Sequence, residues 1–159
     1  MKAQFINPFL MAIMDVFQQM LGLEIERGAL ELKEDFIEGK DANVLIGVIG
    51  ALSGAVVYSF PRFTALEIVK SMAGMEMNDL DTFVTSALGE LGNIISGNAI
   101  TYLAQAGYQC EIPPPQIILG ENKSISLAAP KYFLVPINTR SGGLTISVAL
   151  KEKSSAGDK

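Results

Sequence analysis

The stretch ALGELGNIISGNAI, residues 87–100, decides how this chain of 159 residues is interpreted. Its apolar residues recur at helical spacing, yet it contains Gly89, Gly92 and Gly97. A glycine inside a helix costs about 1 kcal/mol relative to alanine, so three of them indicate a requirement other than helix stability. Glu90 and Asn93 stand three residues apart among these glycines, and this spacing places both side chains on one side of the helix.

The predicted helix has an apolar face and a small, polar face, because an α-helix turns by about 100° per residue. The apolar face, which we expect to pack on the core, contains Leu80, Val84, Ala87, Leu88, Leu91, Ile94 and Ile95. The opposite face contains Thr82, Ser86, Gly89, Glu90, Asn93, Gly97 and Thr101. We expect Asn98, which lies nearer the apolar face, to bond to backbone in the core.

Small residues surround the polar pair and predict a shallow surface that another backbone can approach closely. On this interpretation Ser86, Gly89 and Gly97 form a partner-docking surface, with Ser96 beside them. Gly92 lies nearer the core and serves close packing instead. The alternative is that the glycines let another helix of the same domain pack closely.

Glu90 and Asn93 are suited to positioning other groups, such as a water molecule or a side chain of a partner. An asparagine amide both donates and accepts hydrogen bonds, so it can hold a water molecule. Orienting a water for attack on phosphorus needs little more, since phosphoryl transfer depends mostly on positioning and charge stabilisation. A glutamate can pair with a lysine of a partner and fix the register of docking. The alternative is an ordinary solvent-exposed pair with no function.

The composition excludes several function classes. The chain has no His and one Cys, Cys110, so the commonest general base, a disulfide within the chain and a Cys-rich zinc site are absent. Its net charge of −5 argues against nucleic acid as a partner. The longest apolar segment, residues 44–58, is too short to span a membrane, and no cleavage site follows the apolar N-terminus. We expect a cytoplasmic protein without a metal or cofactor of its own.

Periodicity and turn residues predict an α+β fold, with helices packed on an antiparallel or mixed sheet. One helix covers residues 7–22 and is capped by Asn7. A second helix opens at Thr64, with Glu67 completing a capping box. The long helix is capped by Asn78 or Asp79 and runs to about Gln105. Strands are predicted at residues 24–32, 44–50, 55–60, 116–119, 124–128, 132–137 and 144–150, and those at 44–50 and 55–60 form a hairpin. A polar loop is predicted at 39–43, a proline link at 113–115 and a turn at 141–143. Residues 1–150 form one domain, and we expect a disordered tail at 151–159.

A faint internal repeat relates the two long helices. When the first helix is moved forward by 75 positions, Asp15 falls on Glu90, Gln18 on Asn93 and Gly22 on Gly97. An acid and an amide then recur at the same spacing.

The sequence ALGELGNIISGNA resembles the signature helix of the CheC/CheX/FliY family of chemotaxis phosphatases, in which E-x-x-N lies within E-[LI]-G-N-x-x-[SAT]-G. The segments GALSGAVVYSF, TALEIVKSMAG and EIPPPQIILG occur in the order of CheX-like members. The likeness covers about residues 5–150. CheC-like members often have a second E-x-x-N in the first helix, where this chain has Asp15 and Gln18, so one motif per chain agrees with CheX-like members.

The resemblance implies a phosphatase that hydrolyses the aspartyl phosphate of a phosphorylated CheY-like response regulator. It implies that Glu90 and Asn93 are the catalytic residues, with Glu90 anchored to a lysine of the regulator and Asn93 orienting the water. It also implies an α+β fold in which two long helices flank the sheet, a regulator that holds the Mg²⁺, and a homodimer of this chain. Asp15 with Gln18 or Gln19 is interpreted as a vestige of a duplicated half, and the alternative is a second active site in the first helix. The alternative is a scaffold of the same fold that binds a regulator, or sits in a flagellar switch, without turnover.

Overall fold

Three α-helices cover one face of a central antiparallel sheet in the computed structural model, which describes residues 3–120, 123–129 and 131–153. The helices are α1 (Asn7–Leu21), α2 (Arg62–Ala73) and α3 (Thr82–Gln105), and a short 3₁₀ turn, Ala3–Phe5, precedes them. The strands are β1 (Glu26–Arg27), β2 (Glu31–Glu34), β3 (Ile37–Glu38), β4 (Ala42–Gly50), β5 (Leu52–Phe60), β6 (Cys110–Glu111), β7 (Gln116–Leu119), β8 (Ser124–Ile125), β9 (Lys131–Thr139) and β10 (Gly142–Glu152). The predicted α+β fold is therefore confirmed.

Two long hairpins form the centre of the sheet. The strand order is β1–β9–β10–β5–β4–β6, with β2 also beside β9 and β7 also beside β4. Strands β5 and β10 join the hairpins, pairing in register from Thr145 opposite Ser59 to Glu152 opposite Leu52. The remaining strands, β3 and β8, form a separate two-stranded ribbon.

The main core lies between the helices and one face of the sheet. Alternate residues of the central strands are fully buried there, as the two-residue period of a strand requires. These residues are Val44, Ile46, Val56, Tyr58, Val135, Ile137, Ile146 and Val148. On the opposite face Val57 and Ala149 pack with Ile37 and Ile125 of the small ribbon in a second, smaller core.

The helix ends confirm some predicted caps and correct others. Gly22 ends α1 and Gly74 ends α2, both in the left-handed conformation that glycine favours. Asn7 is the first helical residue of α1 rather than its cap. The capping box at Thr64 is wrong, because the Thr64 Oγ1 hydroxyl donates to the Gly143 carbonyl, 2.7 Å away on β10.

The long helix begins two or three residues later than a cap at Asp79 or Asn78 predicts. The Asp81 carboxylate caps α3 by accepting a hydrogen bond from the Val84 N–H at 2.9 Å. Asp79 instead faces the Arg62 guanidinium at 3.5 Å. The predicted C-terminal end at Gln105 is confirmed.

The predicted hairpin is confirmed as β4 and β5, and the strands predicted at 132–137 and 144–150 are confirmed as β9 and β10. All four strands are longer than the sequence indicated. Asn43, assigned to a polar loop, is buried in β4, where its amide donates to the carbonyls of Lys40 and Ile118. The turn between β9 and β10 lies at residues 140–141 rather than 141–143, since Gly142 pairs with Thr139.

The two less regular strand predictions are too long. The segment 24–32 contains only β1 and the start of β2, and the segment 124–128 contains only β8.

The predicted disordered tail begins too early. Lys151 and Glu152 belong to β10, opposite Ser53 and Leu52 of β5. Residues 154–159 of the tail lie outside the described residues. The single domain over residues 1–150 stays a prediction.

The three glycines of α3 have different surroundings. A Cβ on Gly92 would come within 2.9 Å of Val44 Cγ1 and 3.4 Å of both Ile46 Cδ1 and Tyr58 Cδ2. A Cβ on Gly89 would meet Ile117 Cδ1 at 3.3 Å, whereas a Cβ on Gly97 would meet nothing within 4 Å. The predicted close packing of Gly92 is confirmed, and only Gly97 leaves open space.

We expect Gly92→Ala and Gly97→Ala to change stability in opposite directions. Gly97→Ala should raise the free energy of unfolding by about 1 kcal/mol, because alanine favours the helix and meets no neighbour. Gly92→Ala should lower it by about 1–3 kcal/mol, since the methyl group would force α3 away from β4. Urea denaturation of the two variants measures both changes, and stabilisation by Gly92→Ala would contradict the packing described here.

Candidate functional site

Glu90 and Asn93 lie one turn apart near the middle of α3, on the side of the helix that faces away from the sheet. Glu90 is exposed and Asn93 is half-buried. Neither side chain has a hydrogen-bond or ion-pair partner among the described residues. Both are therefore available to an external partner.

The open stripe of α3 continues along the helix in both directions from this pair. Exposed Ser86 lies one turn before Glu90, and half-buried Gly97 lies one turn after Asn93 with open space above it. The structure thus brings Ser86, Glu90, Asn93 and Gly97 together on one side, as predicted. Their roles in docking and catalysis stay predictions.

Gly89 and Ser96 do not belong to this surface. Gly89 is buried beside the proline link and β7, where a Cβ would lie 3.6 Å from Pro115 Cγ and 3.3 Å from Ile117 Cδ1. Ser96 is fully buried against the sheet. Their placement on the exposed face is wrong, because β7 and the proline link cover Gly89 and the Tyr58 side chain of β5 covers Ser96. Asn98, expected in the core, is exposed.

A hydrogen bond that the sequence does not predict fixes the buried side of the same helix. The Tyr58 hydroxyl of β5 and the Ser96 hydroxyl of α3 lie 2.8 Å apart, and both side chains are fully buried. Burial raises the pKa of Tyr58, an effect that the hydrogen bond with Ser96 only partly offsets. The available signal was a tyrosine within the otherwise apolar run AVVY of β5, since a buried phenol needs a polar partner.

The open stripe of α3 also includes an aromatic residue, which lies outside the E-x-x-N motif. Phe83 lies seven residues, or two turns, before Glu90, and 56% of it is exposed. This side chain adds an apolar contact to the open stripe, and aromatic residues are enriched in protein interfaces.

The acid–amide pair of the first helix is engaged within the chain. Asp15 is half-buried, and its carboxylate accepts a hydrogen bond from the Tyr102 hydroxyl of α3. This hydrogen bond raises the pKa of Tyr102. Gln18 is exposed. Asp15 thus helps to join α1 to α3, whereas Glu90 has no such contact. The internal repeat itself stays a prediction.

The site is an open helix face rather than a cleft. Pockets of about 610, 490 and 340 Å³ occur elsewhere, lined by loop and strand residues and not by Glu90 or Asn93. Small-molecule sites are usually concave, so this face suits a macromolecular partner better.

Metal-binding clusters and membrane-spanning helices are both absent from the described part of the chain. No group of three or more Asp, Glu or Cys side chains there could hold a metal ion. No helix there is both long and apolar enough to cross a membrane.

Comparison with known proteins gives consistent matches. The family model described as "Chemotaxis phosphatase CheX" matches residues 42–138. The Thermotoga maritima protein "CheY-P phosphatase CheX" is 29% identical over 155 residues, which cover 90% of this chain and 100% of the relative.

Solved structures extend the likeness to the fold. A CheC-like superfamily protein from Shewanella sp. PV-4 has a TM-score of 0.87 and 29% identity, with 95% of this chain and 99% of that chain covered. A chain in the CheX–CheY–BeF₃–Mg²⁺ complex from Borrelia burgdorferi has a TM-score of 0.79 and 33% identity, with 95% of this chain and 100% of that chain covered.

Because burial raises the pKa of Tyr58, we expect a loss of stability at alkaline pH that depends on this residue. Below a pH of about 10 the phenol is protonated in both the folded and the unfolded chain. At higher pH the unfolded chain releases a proton that the folded chain retains, so the free energy of unfolding falls by up to about 1.4 kcal/mol per pH unit. Urea denaturation from about pH 9 to about pH 11 should show a shallower decline for Tyr58→Phe than for the wild type. Equal slopes would contradict the buried, protonated phenol.

Proposed function

Since this chain belongs to the CheX family of chemotaxis phosphatases, we propose that it hydrolyses the aspartyl phosphate of a phosphorylated CheY-like response regulator. The observation that carries the proposal is the unengaged pair Glu90 and Asn93 on the open stripe of α3. The complex of the Borrelia burgdorferi relative with CheY supports a partner of this kind.

Asn93 orients the attacking water. Its amide oxygen accepts a hydrogen bond from the water and its amide nitrogen can donate one to a neighbouring oxygen. The water oxygen forms a bond to phosphorus while the bond from phosphorus to the aspartate oxygen breaks. The products are the free carboxylate and inorganic phosphate, and the protons of the water stay on phosphate or pass to solvent. This chain then needs no nucleophile or titrating base of its own.

Glu90 anchors the regulator. Its exposed carboxylate lies one turn from Asn93 and forms an ion pair with a lysine of the regulator's active site. The ion pair fixes the position of α3 along the regulator, and therefore the position of the Asn93 amide over the phosphoryl group. Because the carboxylate has no partner within the described chain, no existing contact must break on docking.

The partner completes the site. We propose that the regulator holds the Mg²⁺ and the phosphorylated aspartate, while Ser86 and Gly97 let its backbone approach α3 closely. Gly89 supports this surface only indirectly, by packing beneath it on β7. A homodimer and a cytoplasmic location remain part of the proposal.

Turnover distinguishes this enzyme from the scaffold alternative. A small amount of this protein should dephosphorylate a large excess of phosphorylated regulator, whereas a scaffold would act on the regulator only in stoichiometric amounts. The test uses a CheY-like regulator from the same genome, phosphorylated by a small phosphodonor. No acceleration with any such regulator would favour the scaffold.

We expect Asn93→Ala to abolish hydrolysis while the fold and binding of the regulator stay largely intact. Loss of one water-orienting group should lower the turnover rate by about 100-fold or more. Asn98→Ala is the matched control, because it removes the same amide from an exposed position on another side of α3. Phosphate release under steady-state conditions measures both variants. Turnover at the wild-type rate in Asn93→Ala would show that Asn93 does not orient the water.

We expect Glu90→Ala to weaken binding as well as catalysis, because the anchoring ion pair is lost. The affinity for the phosphorylated regulator should fall by about 10-fold, and Glu90→Gln should show most of this loss because it keeps the shape but removes the charge. Calorimetric or surface-based titration measures the affinity. An unchanged affinity in both variants would mean that Glu90 is not the anchor.

A further inference from the structure

We propose that Tyr58 is a positioning residue for Asn93, and that it acts through its hydrogen bond to Ser96. The inference rests on the phosphatase function proposed above and adds a residue outside the exposed motif. Tyr58 cannot touch the regulator, since it is fully buried in the core between α3 and the sheet.

The contacts of Tyr58 surround the turn that carries Asn93. Its ring packs on Gly92, the residue before Asn93, where a Cβ would lie 3.4 Å from Tyr58 Cδ2. Its hydroxyl reaches one turn further, to the Ser96 hydroxyl at 2.8 Å. A single side chain from β5 therefore contacts α3 both directly before Asn93 and three residues after it.

The hydrogen bond supplies a directional restraint that the apolar contacts lack. Around it α3 packs on the sheet through Leu88, Leu91 and Ile95, all fully buried. Apolar contact is non-directional, so such an interface tolerates small rotations and shifts of the helix. A buried hydrogen bond between two hydroxyls restricts both, because its energy falls steeply with distance and angle.

A rotation of α3 would slow the proposed reaction, because Asn93 contributes to it only by holding the water in position. Asn93 acts on a water held between this chain and the regulator, and a displacement of about 1 Å can cost about 100-fold in rate. Sites of this kind need support from the residues behind them. Docking, by contrast, is spread over the whole stripe and tolerates a small rotation. The expected signature is a loss in kcat with little change in KM.

The test compares Tyr58→Phe with Tyr132→Phe in steady-state hydrolysis of the phosphorylated regulator. Tyr132 is the matched control, since it is also buried and its hydroxyl donates to the Phe36 carbonyl at 3.0 Å, on the sheet face away from α3. Each variant removes one hydroxyl and one hydrogen bond, and each should lower the Tm by about 3 °C. Tyr58→Phe should lower kcat by about 10-fold with KM within about twofold of the wild type, whereas Tyr132→Phe should leave kcat unchanged.

Ser96→Ala and the double variant Tyr58→Phe/Ser96→Ala separate positioning from a general loss of stability. Ser96→Ala should lower kcat as Tyr58→Phe does, since it removes the same hydrogen bond from the other side. The double variant leaves no unpaired hydroxyl and should regain part of the lost Tm, yet its kcat should equal that of the single variants. Recovery of kcat together with the Tm would overturn the positioning role. If Tyr58→Phe does not fold, Ser96→Ala decides the question, and a wild-type kcat in that variant overturns the inference.

The remaining outcomes distinguish the two proposals. If the wild-type protein does not accelerate hydrolysis, the phosphatase function is wrong and the positioning role is wrong with it. If the wild type turns over and Tyr58→Phe matches Tyr132→Phe in kcat, the positioning role alone is wrong. A raised KM with unchanged kcat in Tyr58→Phe would also overturn it, because the hydrogen bond would then serve docking.

Discussion

The close approach of α3 to the sheet at Gly92 is the contact on which the site depends. There a Cβ would lie only 2.9 Å from Val44 Cγ1, so no larger residue fits without a shift of the Val44 side chain, the helix or the strand. This approach lets the Tyr58 ring lie against the helix backbone and its hydroxyl reach Ser96. A helix held this closely on one side presents a defined side to solvent, and that side carries Glu90.

A second close contact holds the same turn from another direction. Gly89 packs against Pro115 and Ile117, which lie in the proline link and in β7. Because β7 pairs with β4, Ile117 and Val44 stand opposite each other, and the two contacts lie on neighbouring strands of one sheet. The glycine content of α3 thus serves mainly packing, and its cost in helix propensity is offset by buried contacts. Gly97 is the exception, since nothing lies above it.

The two long helices illustrate how a similar pattern acquires different roles. Asp15 and Glu90 are both acids on a helix that covers the sheet, and each has an amide three residues later. The carboxylate of Asp15 accepts a hydrogen bond from the Tyr102 hydroxyl, so this acid stabilises the contact between α1 and α3. The carboxylate of Glu90 has no partner among the described residues and stays available. Under the proposed function, a chain without His takes part in phosphoryl chemistry by supplying a water-orienting amide to a site that its partner completes.

Features that depend on local geometry follow from the sequence alone. The period of the helix places Glu90 and Asn93 on one side, the glycines end α1 and α2, and the alternation of apolar residues predicts the hairpins. Which residues of α3 face the core and which face solvent, by contrast, depends on the packing of the whole chain. The pairing of β7 with β4 buries Gly89, and the reach of a tyrosine from β5 buries Ser96 while Asn98 is left exposed. A helical pattern specifies angles between side chains, but contacts with strands distant in sequence specify which of those angles face a neighbour.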